Sequence, residues 1–249
     1  MAVGVGTSDA RRALLAGLID HAALFPPASL PLEEALAEHA RVCRAEESWL
    51  VARFVCPASR LRELGEADVR LTVVLDDPAA SLDDPRIEAV EVPPSQPADA
   101  AVAVGEVYVE RPIDDPGWLD AVAAVGRRAK VRCGGAVVPS VAELAAFVRR
   151  CRALGIPFKA TAGLHHAVAA PGRHGFLNLL AAAAFREQEE DALSETDASA
   201  FALDRATFSW RGRVARRDEL AQIRRGLFVG FGSCSVDEPV DDLRALGML

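Results

Sequence analysis

Among 28 basic residues this 249-residue chain has only two lysines, Lys130 and Lys159; the rest are arginine. Each lysine sits in a short apolar run that ends in glycine, Lys130-Val-Arg-Cys-Gly-Gly135 and Phe158-Lys-Ala-Thr-Ala-Gly163. Where a surface cation suffices, this sequence uses Arg. What Arg cannot supply is a compact amine that loses its proton when desolvated and then attacks a carbonyl. The two lysines are therefore candidates for chemistry or for substrate contact; the plain alternative is an ion pair too tight for a guanidinium. Lys159 is the better nucleophile, because only Thr161 and Gly163 follow it on its strand face, whereas Arg132 follows Lys130. A cation beside it, Lys130 or Arg132, would lower its pKa by disfavouring the charged form.

Period-two alternation extends the polar set. The face of each run opposite its most apolar face carries Arg53, Thr72 with Asp76, Glu91, Tyr108 with Glu110, Lys130 with Arg132, and Lys159 with Thr161. Charges in such short strands are costly to bury unless paired, so the set reads as a site or as a structural salt-bridge network. In the site reading Glu110, Asp76 and His165 shuttle protons, and Arg132, Arg53 and Thr161 hold substrate. His165 and His166 follow the Lys159 run, with His174 and Asn178 farther on, and in the site reading His166 and Asn178 also contact the substrate. A loop histidine there suits acid–base work near neutral pH. Adjacent histidines seldom ligate one metal, and no His-x-His spacing occurs, so no metal is assigned; Asp20, His21, Asp76 and Glu110 are the only helpers such a site would have. At least one of the three histidines is expected to pack or cap, and a buried helix amide is the equal alternative for Asn178.

The elements that must position these groups are short strands alternating with helical patterns. Strands are expected at Leu50–Cys56, Arg70–Leu75, Ile87–Val92, Glu106–Arg111, Lys130–Cys133, Phe158–Ala162 and Leu227–Phe231. Helices are expected at 32–44, 59–65, 117–125, 140–154 and 175–189. The alternation implies βαβ units and a parallel sheet. An eighth strand would close an irregular (βα)8, TIM-like barrel; an open doubly wound sheet is the alternative. Gly17–Phe25 is favoured for that strand over Ala206–Arg211, whose Trp-Arg-Gly-Arg suits a small exposed hairpin. Residues 1–249 then form one domain, with 187–226 inserted before the last strand. The crossovers 76–86 and 93–105 are barely long enough for a helix.

Asp-Asp-Pro at 83–85 and 114–116 reads as helix capping, and Ser235-Val-Asp-Glu238 as a capping box. Cys133 and Cys234 are thiolate candidates beside Arg132 or small core residues. No dinucleotide fingerprint, Walker sequence or nucleophile elbow is present, and no cofactor is expected.

Two local runs resemble the class I aldolases of the deoxyribose-phosphate type. Phe158-Lys-Ala-Thr-Ala-Gly163 is similar to their Schiff-base strand, and Gly230-Phe-Gly-Ser-Cys-Ser235 to the turn where backbone N–H groups hold a phosphate. The resemblance implies an imine at Lys159 and an anion at Gly232 and Ser233, although the second lysine here precedes the first motif instead of following it. Asp20-His-Ala-Ala-Leu-Phe-Pro-Pro27 and Gly163-Leu-His-His166 also resemble a bacterial family that brings no activity with it.

Half of the residues are hydrophobic and a quarter charged, as in an ordinary globular domain. The formal charge of −8 excludes a general nucleic-acid or anionic-membrane binder, so an anion site must be a local cationic cluster. Met1 to Arg12 lacks the pattern of a secretory leader, and no apolar stretch reaches membrane-spanning length. Five scattered cysteines without Cys-x-x-Cys suit a reducing cytoplasm. Four expectations follow: a cytoplasmic barrel enzyme, a small anionic carbonyl compound as its substrate, no nucleic-acid or membrane partner, and self-association left open. An isomerase, a metal-assisted hydrolase and a non-catalytic metabolite-binding barrel are the alternatives.

Overall fold

The computed structural model describes residues 9–100, 102, 104–136 and 138–249, so the leader expectation falls largely outside the described residues. Eight parallel strands close into a barrel in the order β1-β11-β7-β6-β5-β4-β3-β2. They are β1 (Ile19–His21), β2 (Val51–Pro57), β3 (Leu71–Val74), β4 (Ile87–Val92), β5 (Glu106–Glu110), β6 (Arg128–Arg132), β7 (Phe158–Thr161) and β11 (Phe228–Ser233). The eighth strand comes from the N-terminal segment. β1 pairs with β2 on one side and β11 on the other, which closes the sheet and excludes the open form.

Helices cover part of the outside: α1 (Ala10–Leu15), α2 (Leu32–Val42), α3 (Trp118–Ala124), α4 (Val141–Leu154), α5 (Phe176–Ala184) and α8 (Asp237–Ala245). Local signals set α4. Ser140 and Glu143 close a capping box, Leu144, Phe147, Val148 and Cys151 form its buried face, and Gly155 ends it in a left-handed turn. Phe147 meets Phe158 edge-on at 5.0 Å, and Phe158 stacks on Phe228 at 5.2 Å. Such pairs add about 0.5–1.5 kcal/mol each beyond area burial.

The crossovers 76–86 and 93–105 contain no helix among their described residues. Apolar loop residues such as Ala80, Leu82, Ala98 and Val104 pack against the core instead. Arginines tie down loop carbonyls, four of them within 93–105 and two in the connection before β3. Arg86 donates to Gly65 and Ala67, Arg111 to Pro93 and Gln96, and Arg127 to Ala98 and Ala100. A five-donor fork suits this work, and one ammonium could not replace it.

Helix α5 buries nearly every side chain, then the chain continues through α6 (Glu189–Ser194) and β8 (Phe201–Leu203). An antiparallel hairpin, β9 (Thr207–Trp210) and β10 (Arg213–Arg216), and α7 (Arg217–Gly226) complete the stretch before β11. The hairpin is less exposed than its sequence implies. Trp210 is buried and stacks on Phe185, with its indole N–H donating to Glu195.

Two capping expectations fail. Asp84 closes a local turn onto the Arg86 N–H, and α3 starts after Gly117 with no side-chain cap. No described helix is long and apolar enough to cross a membrane.

Candidate active site at the carboxyl end of the barrel

In most barrels the interior is filled by branched aliphatic side chains. Here its middle layer is charged. Asp20 on β1, Glu91 on β4, Glu110 on β5, Lys130 on β6 and Lys159 on β7 are each at most 5% exposed. The register places Glu110 beside Lys130 and Lys130 beside Lys159. Two lysines on neighbouring strands would repel one another, and Glu91 resolves this by reaching between them. Its Oε2 accepts from Lys130 Nζ at 2.5 Å and its Oε1 from Lys159 Nζ at 2.5 Å. Lys159 also donates to Asp20, which accepts from the Thr72 hydroxyl at 2.7 Å. Lys130 Nζ lies 2.9 Å from Glu110 Oε2, and Arg132 Nε donates to Glu110 Oε1 at 3.1 Å. The groups form a ladder: Thr72, Asp20, Lys159, Glu91, Lys130, Glu110, Arg132. Three carboxylates alternate with three cations, and only Arg132, half exposed, reaches solvent.

The ladder reverses the pKa expected for Lys159. Burial disfavours its charge, but the carboxylates of Asp20 and Glu91 outweigh burial and raise its pKa above the ordinary value. Burial likewise opposes ionisation of Glu91 and Glu110. The charges of Lys130 and Lys159 hold Glu91 low, and those of Lys130 and Arg132 hold Glu110 low.

Above the ladder opens a cavity of about 570 Å³. Glu91, Glu110, Lys130, Arg132, Thr161, Gly232 and His165 face it, and Phe25, Pro26, Pro27, Val55, Val74, Pro93 and Pro94 give it apolar walls. Its rim is built from backbone in close approach. A Cβ on Gly134 would lie 2.8 Å from Gly163 Cα, and Gly163 itself turns at φ +72°, so the loops after β6 and β7 meet without side chains between them. Ala162, at φ +57°, strains the same turn. That turn carries His165 to the rim, where Nδ1 lies 2.9 Å from Glu238 Oε2 and 3.9 Å from Cys234 Sγ. The Ser235 hydroxyl accepts the Glu238 N–H, but the Glu238 carboxylate turns to His165 instead of closing the expected box. The hydrogen bond with Cys234 comes first in raising the His165 pKa, followed by opposing burial and the Glu238 charge.

Several sequence candidates lie elsewhere. Lys159 does not line this cavity. It sits beneath the Glu91–Lys130 rung and faces a smaller cavity of about 390 Å³ at the amino end, with Arg53, Glu106, Tyr108 and Arg128. Arg53 is held there by Glu88 and Glu106. Asp76 points outward and accepts from the backbone and hydroxyl of Ser59. His166 lies 3.2 Å from Asp242 of α8. The His174 ring meets the Pro139 carbonyl at 2.7 Å in the core. Asn178 ties Ala169, Ala192 and Glu195 together as a buried helix amide. Ser233 is buried at the end of β11. Cys133 is enclosed, and burial pushes its thiol up to about 12, so it remains a neutral core residue. Among the described residues no three His, Cys, Asp or Glu side chains are grouped to hold a metal ion. Sequence reasoning gave Asp20 only a metal-helper role and placed Glu91 in the inward polar set without a task of its own; the signal for both was a carboxylate in a run otherwise apolar.

No family model matches the chain, and no curated protein matches it. Among solved structures it is similar to Xanthomonas albilineans dihydropteroate synthase in complex with indole-2-carboxylic acid and 6-chloroguanine. That likeness has 15% identity and a TM-score of 0.33, and covers 94% of this chain and 93% of the other. A second structure of that enzyme, with 4-aminobenzoic acid, gives 14% identity and a TM-score of 0.30 over the same shares. The assignment of the fold rests on this chain's own strand order, a closed eight-stranded parallel barrel.

Proposed function

We propose that the chain is an enzyme acting on a small anionic carbonyl compound, and that it moves a proton at the carbon beside the carbonyl. The observation that carries this reading is the Lys130–Glu110 pair, 2.9 Å apart, with both side chains on the floor of the upper cavity. The Arg132 guanidinium at the rim takes the substrate's anionic group. The Lys130 ammonium faces the carbonyl oxygen, and the Glu110 carboxylate accepts the proton from the adjacent carbon. The C–H electron pair moves into the carbon–carbon bond as the carbonyl π pair moves onto oxygen, where Lys130 stabilises the negative charge. His165 supplies or takes the second proton. Lys159 and Asp20 hold Glu91, and through it Lys130, in place.

A second reading, an imine at Lys159, is favoured by one observation: two carboxylates bracket its amine and can receive its proton. The raised Lys159 pKa and its position beneath the rung favour proton transfer instead.

One experiment separates the readings. Small keto acids and aldehydes are incubated with the protein in deuterium oxide and followed by NMR, while parallel samples are reduced with borohydride and weighed intact. Proton transfer predicts deuterium at the carbon beside the carbonyl, slowed about 100-fold or more in Glu110→Gln. Imine chemistry predicts a substrate-sized adduct that Lys159→Arg abolishes. Neither signal with any compound would refute the enzyme reading and leave a metabolite-binding barrel.

A further inference from the structure

We propose that Cys234 is a nucleophilic thiol of the upper cavity, activated by His165, that adds reversibly to the carbonyl carbon of a bound aldehyde or keto acid. The inference rests on the carbonyl reading of the cavity but assigns it a group which that reading does not use.

Placement supports it first. Of the five cysteines, Cys56, Cys133 and Cys151 are buried and Cys43 lies exposed on the α2 side; none of these four lines the cavity. Cys234 does line it, at 8% exposure, just past the end of β11. It is reachable from the cavity and shielded elsewhere, unlike a thiol that only fills core space.

Its partner supports it next. His165 lines the same cavity, comes from the β7 loop on the neighbouring strand, and puts Nδ1 within 3.9 Å of the sulfur. Glu238 Oε2 lies 2.9 Å from that same Nδ1, so sulfur and carboxylate meet at one nitrogen: the carboxylate makes it more basic and accepts its hydrogen once the thiol proton has moved onto it. His165 is 22% exposed on its side chain and its pKa is raised, as a proton acceptor for the thiol requires.

The step balances without a further reactant. The thiol proton passes to His165, and a sulfur lone pair forms the S–C bond. The carbonyl π pair moves to oxygen, which takes the proton back from the imidazolium. The product is a hemithioacetal or hemithioketal. The reverse step releases the ligand unchanged.

The test uses the full chain with glyoxylate as the probe. Iodoacetamide alkylation is followed by peptide mass spectrometry, with Cys43 as an internal exposed reference. Carbonyl-labelled ¹³C-glyoxylate is followed by NMR in wild type, Cys234→Ser and His165→Gln. Cys234 is expected to alkylate about tenfold or more faster than Cys43 despite its lower exposure. It is expected to lose that advantage in His165→Gln and to be protected by glyoxylate. The labelled carbon should show a protein-bound hemithioacetal resonance, separate from that of the free hydrate, that Cys234→Ser removes. A Cys234 no faster than Cys43, indifferent to His165→Gln, or unprotected and without the resonance would overturn the proposal. Deuterium exchange is run on Cys234→Ser in parallel. Exchange retained there beside an unreactive wild-type thiol removes this inference and leaves the proposed function standing. A protected, resonance-forming thiol with no exchange in any variant leaves this inference standing and removes the proton-transfer reading.

Discussion

Replacing Glu91 by Gln keeps the shape of the side chain and deletes the one charge shared by both lysines. Glu91 is 4% exposed and accepts from Lys130 and Lys159 at 2.5 Å each. Removing one member of a buried ion network costs about 3–5 kcal/mol, mostly because a charge is left uncompensated. Lys130 keeps Glu110 and Lys159 keeps Asp20, which places the expected loss near the lower end, about 3 kcal/mol. At about 2–4 °C per kcal/mol for a chain of this size, the melting temperature should fall by roughly 6–12 °C. The diagnostic is the double variant Glu91→Gln/Lys130→Met. It leaves two self-contained pairs, Asp20–Lys159 and Glu110–Arg132, so it should be more stable than Glu91→Gln alone by at least about 1 kcal/mol. Thermal unfolding by circular dichroism and urea titration at pH 7 measure all of the variants. A Glu91→Gln melting temperature within 2 °C of wild type, or a double variant whose losses simply add, would refute the ladder as an electrostatic unit.

Behind β1, His21 and His39 pack with their Nδ1 atoms 3.2 Å apart, and both pKa values are held down to about 4, first by burial and then by the partner His39 charge and by Arg70 respectively. Both rings are neutral in the fold and titrate near 6.5 once unfolded, so stability should be full above pH 6.5 and fall between 6.5 and 4. The slope, about 1.4 kcal/mol per pH unit for each ring, is measurable by urea titration at pH 7, 6 and 5, and a flat profile would exclude the buried pair. Arg132→Ala should leave the melting temperature within about 2 °C, because the side chain is half exposed, yet weaken an anionic ligand about tenfold or more in an NMR titration. Trp210→Ala should cost about 3–5 kcal/mol, since the indole is buried against Phe185, while deuterium exchange in the distant cavity keeps its rate per folded molecule. A hairpin that merely decorates the surface would show no such loss.

The strand pattern was readable because short, mostly apolar runs such as Ile87–Val92 and Val51–Pro57 recur between helical and turn segments. Taking alternate residues within each run, on the side opposite its most apolar face, placed Lys130, Glu110 and Arg132 inward. Pairing was not readable, since Glu91 and Lys159 are 68 positions apart and meet only when the barrel closes. The contact with Asp20, 139 positions away, and this one together decide the sign of the Lys159 pKa, which the sequence suggested in the opposite direction. The Asp-Asp-Pro runs misled for a local reason. Asp84 finds the N–H and side chain of Arg86 two residues on, which satisfies it without any helix. Asp76 was expected to end its strand, but β3 stops at Val74, and two residues beyond it the alternation no longer fixes which way a side chain points.

The ladder's composition also bears on how a substrate would start the reaction. Asp20, Glu91 and Glu110 match Lys159, Lys130 and Arg132 charge for charge, so the ladder offers no unpaired cation to the cavity. An incoming carboxylate must compete for one, and Arg132 is the only rung that reaches solvent. If Arg132 turns to the ligand, Glu110 loses the weaker of its two partners, at 3.1 Å, and keeps Lys130 at 2.9 Å. With Arg132 among the causes that hold the Glu110 carboxyl down, its departure makes Glu110 a stronger base when a substrate is present to be deprotonated. Binding and activation are then one event in this architecture. It follows that Arg132→Ala should weaken ligand binding and also shift the acid limb of the exchange profile upward in pH, a pair of effects that a simple anion clamp would not produce.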